Sequence, residues 1–279
     1  MNAICALTTV RNDALFLPKW IDHYGTALGG PENLVVILDG HDQDLPEGAG
    51  RVNVIRLPHK PLPRAPAMRR RARVMSAIAS GLYHYFDMAI ATDVDEFLVV
   101  DPQRGVGLRE YLSGLVAPPA AISALGLDVG QHLREEAPLD PTRPFLDQRG
   151  YAHVSARYTK PVVSTRPVTW GSGMHRVKGR NFRIDPNLFL FHFGMVDYAR
   201  ATGKTADPDR LATGWEGHLD RRARLFGLIT NAQPRDGDAY FATARRWQSW
   251  LRPPYAWNKP AMIPGDPVVR IPARFRGLV

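Results

Sequence analysis

The sequence predicts an α/β domain, with a mostly parallel central sheet covered by helices on both faces, followed by a helical and irregular C-terminal extension. Three observations predict it. Short apolar runs rich in β-branched residues alternate with amphipathic stretches over residues 1–100, the alternation that builds parallel sheets. Three polar clusters, at 11–13, 39–44 and 93–96, each follow such a run. In open α/β sheets ligands bind beyond the carboxyl ends of the strands, where those clusters fall. Finally, the 279-residue chain is 44% apolar and 23% charged, a composition ordinary for a globular protein with a substantial core.

Each element follows from its local pattern. Residues 3–10 (AICALTTV) form a buried strand, and Asp13 in the polar break after it is placed to cap a helix. Over 14–28, Leu15, Leu17, Trp20, Ile21 and Tyr24 recur at helical spacing. Residues 33–38 (NLVVIL) and 52–57 (VNVIRL) give two further strands. A proline-rich loop at 58–66 leads into an Arg-rich helix over about 67–85, and 88–92 (MAIAT) is a fourth strand. After residue 98 the order loosens. Strands are expected at 121–127, 162–168 and 188–193, with an acidic, proline-punctuated loop at 135–147. Helical stretches are expected within 207–250, one of them at 219–229, before a Pro- and Arg-rich tail at 253–279. This divides the chain into one domain over 1–200 and an extension over 201–279 packed on it.

Composition narrows the classes. The single cysteine, Cys5, lies in an apolar run and reads as a small core residue; no intramolecular disulfide can form. No apolar stretch reaches the ~18 residues a membrane span requires, and no secretory signal pattern opens the chain. The expected location is cytoplasmic. A net charge of +9 suits an anionic partner and is equally a compositional habit. It leads to the expectation of peripheral contact with an anionic membrane at its inner face. Zinc-ligand spacing, a helix-turn-helix signature and aromatic–basic interleaving on strands are missing, so no nucleic-acid partner is expected.

The chemistry centres on Asp93 and Asp95. Two carboxylates two positions apart on an extended chain point the same way, roughly 6–7 Å apart. A hard cation such as Mn²⁺ or Mg²⁺ takes a few such oxygens and completes its shell with substrate phosphate. It then acts as a Lewis acid on a departing diphosphate. Glu96 is a third ligand or an outer partner. The other reading of the same residues is a solvated acidic turn. Asp39, with Asp42 and Asp44 behind it, suits hydrogen bonds from a ribose or a pyrimidine N–H; here too a plain turn is the alternative. Arg69, Arg70, Arg71 and Arg73 open the long helix, and one of them, with Arg70 chosen, is expected at a diphosphate. Lys160 is a similar candidate. For an acceptor base, Asp128 comes first and Asp197 second, with Asp185 and Glu216 in the same part of the chain.

The run TTVRNDALFLPKWIDHY, followed by VVILDG and ATDVDEFL, resembles glycosyltransferase family 2-like proteins of the GT-A fold, a Rossmann-like architecture. The resemblance covers residues 4–100 well. It continues more thinly through Lys160-Pro161, GSGMHRV and FHFGMVDY, and departs at Asp13, where the family carries Glu. It implies that Arg11, Asn12 and Asp39, with Thr9 of the same segment, hold the nucleoside, and that Asp93 and Asp95 hold the metal and diphosphate. The family pattern also places a late-strand histidine near the metal, which makes His192 a ligand candidate beside its reading as a hydrogen-bonded core residue. His175 is a weaker candidate, touching donor or acceptor. The expected activity is metal-dependent inverting transfer from a nucleoside-diphosphate sugar, uridine-linked, to a glycan, lipid-linked or protein acceptor. Two alternatives remain: another metal-dependent nucleotide-processing enzyme, such as a nucleotidyltransferase or phosphatase, and a nucleic-acid-binding protein suggested by charge alone.

Overall fold

The computed structural model describes residues 1–205 and 216–279, with side chains described for 1–203 and 223–279. The first half runs β1 (Ile4–Val10), α1 (Phe16–Leu28), β2 (Leu34–Asp39), β3 (Asn53–Leu57), α2 (Arg64–Leu82), β4 (Met88–Ala91), β5 (Glu96–Val100) and α3 (Leu108–Ser113). Then come β6 (Ala121–Gly130), α4 (Phe145–Gln148), β7 (Tyr151–Val154), β8 (Val163–Ser164), β9 (Ile184–Met195) and α5 (Tyr198–Thr205). The last part holds α6 (Glu216–Asn231), β10 (Arg235–Asp236), α7 (Gly237–Trp250) and β11 (Val268–Arg270).

The strand residues alternate between two cores. Ile4, Ala6 and Val10 of β1 and Leu34, Val36 and Leu38 of β2 pack with Phe16, Leu17, Trp20 and Tyr24 of α1. Cys5, Leu7, Val35 and Ile37 face the other way, onto Met75 and Ala79 of α2. Successive strand residues point to opposite faces, so an unbroken apolar run is the mark of a strand covered on both sides. That accounts for the helices on both faces and for the α/β, Rossmann-like architecture. β1 lies between β2 and β4, parallel to both, and β3 continues the parallel set beyond β2.

The second half of the sheet is mixed. β6 joins it to the first: Ala121 and Ile122 pair with β8, which also pairs with β4, while Leu127, Asp128 and Val129 pair with β7. β9 runs parallel to β6 and antiparallel to β5. β11 pairs with β7 and β10, and Phe241, Ala244, Val269 and Phe275 join the same core as β1 and α1. Among the described residues no helix is long and apolar enough to cross a membrane.

The first four strands and two helices lie where the periodicity puts them. α2 begins earlier than expected, with Pro66 in its first turn, where a missing N–H removes no helical bond. The strand expected at 162–168 shrinks to Val163–Ser164; Pro167 lies within the expected run and has no N–H for a ladder. β5, β7 and α5 fall in the stretch where sequence order loosens. The part of the expected helical region at 207–215 lies outside the described residues.

One clamp ties the tail to the sheet. Arg274 donates to both carboxylate oxygens of Asp101, at 2.7 and 2.9 Å, and also pairs with Asp238 of α7. Burial alone would raise the Asp101 pKa; the Arg274 hydrogen bonds, the Gln103 N–H and the charges of Arg274 and Arg245 together outweigh it and hold the carboxyl below its usual 3.8. Asp101→Asn should therefore destabilise the chain by about 1–3 kcal/mol at pH 7. A depressed pKa contributes stability above 3.8 that is lost as pH falls through the folded value. In urea titrations the gap between wild type and variant should accordingly narrow as the pH is taken from about 5 toward 2.

Candidate active site

The acidic segment is a turn, and its geometry corrects the extended arrangement expected of it. Glu96 N–H donates to Asp93 O at 3.0 Å, and Asp93 N–H donates to the Glu96 carboxylate at 3.2 Å. This reciprocal closure sends the two aspartates in different directions. The Asp93 carboxylate meets Lys160 Nζ at 2.9 Å and pairs with Arg71. Asp95 instead faces His192, whose Nε2 lies 3.4 Å from Asp95 Oδ2.

Helix α1 fixes the turn from one side. Trp20 Nε1–H donates to Thr92 Oγ1 at 2.9 Å. The Tyr24 hydroxyl accepts from Leu98 N–H at 2.8 Å and donates to Glu96 O at 3.2 Å, standing in for a neighbouring strand along β5. The aromatic positions of the Trp-Ile-x-His-Tyr helix are thus structural supports for the acids. His23 of the same motif is half-buried, its ring edge-on to Phe97, with Nε2 3.0 Å from Leu98 O.

The loop between β7 and β8 fixes the other side. Lys160 is 2% exposed and its ammonium also meets the fully buried Glu96. The loop passes so close over β6 that a Cβ at Gly126 would stand 2.1 Å from the Tyr158 carbonyl carbon. Glycine is required there by the approach of backbone, not by dihedral freedom. Tyr158 then stacks on His192, ring centroids 3.8 Å apart.

Strand register assembles the rest. Glu96 is opposite His192, and His192 is opposite Asp128, across β5, β9 and β6. His192 Nδ1 lies 2.8 Å from Asp128 Oδ1. Burial lowers the affinity of the imidazole for a proton, but Asp95 and Asp128 outweigh it and hold the His192 pKa above its ordinary value. Arg71 is pulled down by burial against the opposing charges of Glu96, Asp95 and Asp39.

A second group lies at the ends of β1 and β2. Arg11 donates to Asp39 O at 3.1 Å and to Asp42 Oδ2 at 2.8 Å. This pairing holds the exposed Asp42 carboxyl down at about 2. Asn12 sits in the left-handed region at φ 47°, with its N–H on Gln43 at 2.9 Å. Asp39 meets His59 Nδ1 at 3.2 Å and Arg70 at 4.0 Å. Thr9 Oγ1 points to Met75 Sδ, 3.1 Å away. Asp13 receives the N–H groups of Leu15 and Phe16, at 3.2 and 3.0 Å, as a cap should, and also pairs with Arg200 at 2.7 Å.

The carboxylates considered as bases are held by the protein. Asp128 is buried against His192. Asp197 accepts Leu139 N–H at 3.0 Å and Arg200 N–H at 2.8 Å, at the start of α5. Asp185 accepts the Tyr111 hydroxyl and Asn187 N–H, both at 2.8 Å. The Glu216 side chain lies outside those described. His175 Nδ1 is 2.8 Å from Arg157 O, and burial, then the charge of Lys160, lowers its pKa to about 3. Of the four arginines, Arg70 is the one expected at the diphosphate, but the phase of α2 turns Arg71 to Asp93 and leaves Arg70 4.0 Å from Asp39.

Among the described residues no three His, Cys, Asp or Glu side chains converge as a complete metal-ligand set. Asp95 and His192 offer two donors to one space, and a Cβ at Gly194 would fill it, 2.9 Å from His192 Nε2 and 3.2 Å from Asp95 Oδ2. A carboxylate and an imidazole fit a cation that draws its remaining ligands from a substrate.

No known protein-family profile matches the chain, and no curated protein matches it. Among solved structures it is similar to S. aureus TarS 1-349, at 10% identity and a TM-score of 0.35, over 88% of this chain and 73% of that one. It is also similar to S. aureus TarS at 11% identity and a TM-score of 0.33, over 86% of this chain and 45% of that one. The chain thus spans less than half of the latter structure.

Removing Lys160 tests the ionic centre. Lys160→Met leaves Glu96 buried without its counter-charge and should cost about 3–5 kcal/mol in urea unfolding. Lys160→Met combined with Glu96→Gln should recover part of that loss. Equal losses in the single and double variants would separate Glu96 from Lys160.

Proposed function

We propose that the chain is a metal-dependent, inverting glycosyltransferase that moves a sugar from a nucleoside-diphosphate sugar, uridine-linked, to a glycan, lipid-linked or protein acceptor. One juxtaposition carries the reading. Asp39, Arg11 and Asn12, at the ends of β2 and β1, stand beside a carboxylate–imidazole pair and two cations, the half-buried Arg71 and the buried Lys160, at the end of β4. The first group suits a nucleoside, the pair suits a divalent cation, and the cations suit a diphosphate.

In this reading Asp95 and His192 hold Mn²⁺ or Mg²⁺, with Asp93 behind them. The bound cation supplies Lewis acidity to the departing diphosphate. Asp128 is a positioning residue: its contact with Nδ1 sets the ring orientation and tautomer of His192. Arg71 and Lys160, already paired with Asp93, add positive field where the diphosphate would carry negative charge. Arg70 orients the Asp39 carboxylate toward the nucleoside. His175, kept neutral by burial and by Lys160, is available to hydrogen-bond a sugar hydroxyl rather than to repel or attract charge.

A thermal-shift panel of nucleoside diphosphates and their sugars, with and without Mn²⁺, checks this. A ligand at a hundredfold excess over Kd adds about 2.7 kcal/mol, so the midpoint should rise by roughly 5 °C or more. The rise should depend on the base and on Mn²⁺. Asp95→Asn should remove the metal dependence, and Asp39→Ala should weaken the nucleotide response. A shift indifferent to metal in both proteins would contradict the assignment of Asp95. Turnover of the nucleotide without any sugar acceptor would favour a nucleotidyltransferase or phosphatase.

A further inference from the structure

Residues 171–183 and 246–265 carry seven Lys and Arg and no Asp or Glu. The two segments lie against each other. Asn258 Nδ2 donates to Val177 O at 2.7 Å, and the Arg252 guanidinium sits 4.3 Å from the Phe182 ring centroid. Lys259 Nζ lies 5.8 Å from the Tyr255 ring centroid, and burial, then the charge of Arg176, holds its pKa below the ordinary value. Within these two segments Trp250 is 84% exposed, Tyr255 76% and Trp257 58%, with Lys178 and Arg180 also exposed.

Large rings left exposed within one short stretch of chain mark an interaction surface. Trp and Tyr among Lys and Arg, without acids, make up the composition of a membrane-interface anchor. The rings settle at headgroup level and the cations meet anionic lipid. We infer that this face docks on an anionic lipid bilayer. The inference stands apart from the glycosyltransfer reading, since Lys178, Arg180, Trp250, Tyr255 and Trp257 are not among the residues assigned to the donor.

The test is cosedimentation of the full chain with vesicles of phosphatidylcholine alone and of phosphatidylcholine with phosphatidylglycerol, together with tryptophan emission. Wild type should bind the anionic vesicles, with a blue shift, and largely ignore the neutral ones. Lys178→Glu with Arg180→Glu should lower partition by at least fivefold for each cation removed. Trp250→Ser, Tyr255→Ser and Trp257→Ser together should lower it by about tenfold. The unfolding midpoints should stay unchanged, because all five side chains are exposed. Equal binding to neutral vesicles, absence of binding to either, or undiminished binding by the variants would overturn the proposal. So would binding to a soluble polyanion such as heparin without affinity for vesicles, which would assign the face to an acidic polymer.

Discussion

The buried ammonium of Lys160 is the interaction on which the site depends. A cation 2% exposed is tolerable only beside anions, and Glu96 and Asp93 supply them. That requirement runs in both directions. Glu96 cannot be buried at the start of β5 without Lys160, and Lys160 cannot reach it unless the loop before β8 lies directly on β6. Gly126 allows that approach, because any side chain there would strike backbone. Trp20 and Tyr24 grip the same turn from α1. Held from both sides, the turn can direct Asp93 to cations and Asp95 to His192.

The parallel half of the fold is legible in sequence because local periodicity determines it. β1, β2 and β4 are mostly apolar, buried runs, and the phase of α1 matches the face it buries. β5 is less legible. Its four apolar residues follow the last acid, Glu96, without alternation or a turn signal, and its partner β9 lies far along the chain. The same distance hides the state of Asp128. Its burial and its bond to His192 arise from the pairing of β6 with β9, which no local pattern announces. Asp197 reads as an open carboxylate for the same reason, although it serves the start of α5. Arg71 is singled out by the phase of α2, and Lys160 is visible as a residue type without its partner.

The site and the basic aromatic face meet through one segment. His175 feels the charges of both Lys160 and Lys259, so residues 175–183 lead from the ionic centre to the exposed rings. An acceptor presented at a lipid surface would thus arrive beside the residues assigned to the donor. Association with the bilayer and the orientation of the donor pocket would then be set by the same stretch of chain.

The central claim is that Asp95 and His192 complete a cation site only together with a nucleoside diphosphate. Calorimetric titration of UDP into the protein, with and without Mn²⁺, tests it most directly. The account predicts that Mn²⁺ strengthens UDP binding by about tenfold or more in wild type and leaves it unchanged in Asp95→Asn and His192→Ala. UDP affinity that is indifferent to Mn²⁺ in wild type, or equally enhanced in both variants, would contradict it.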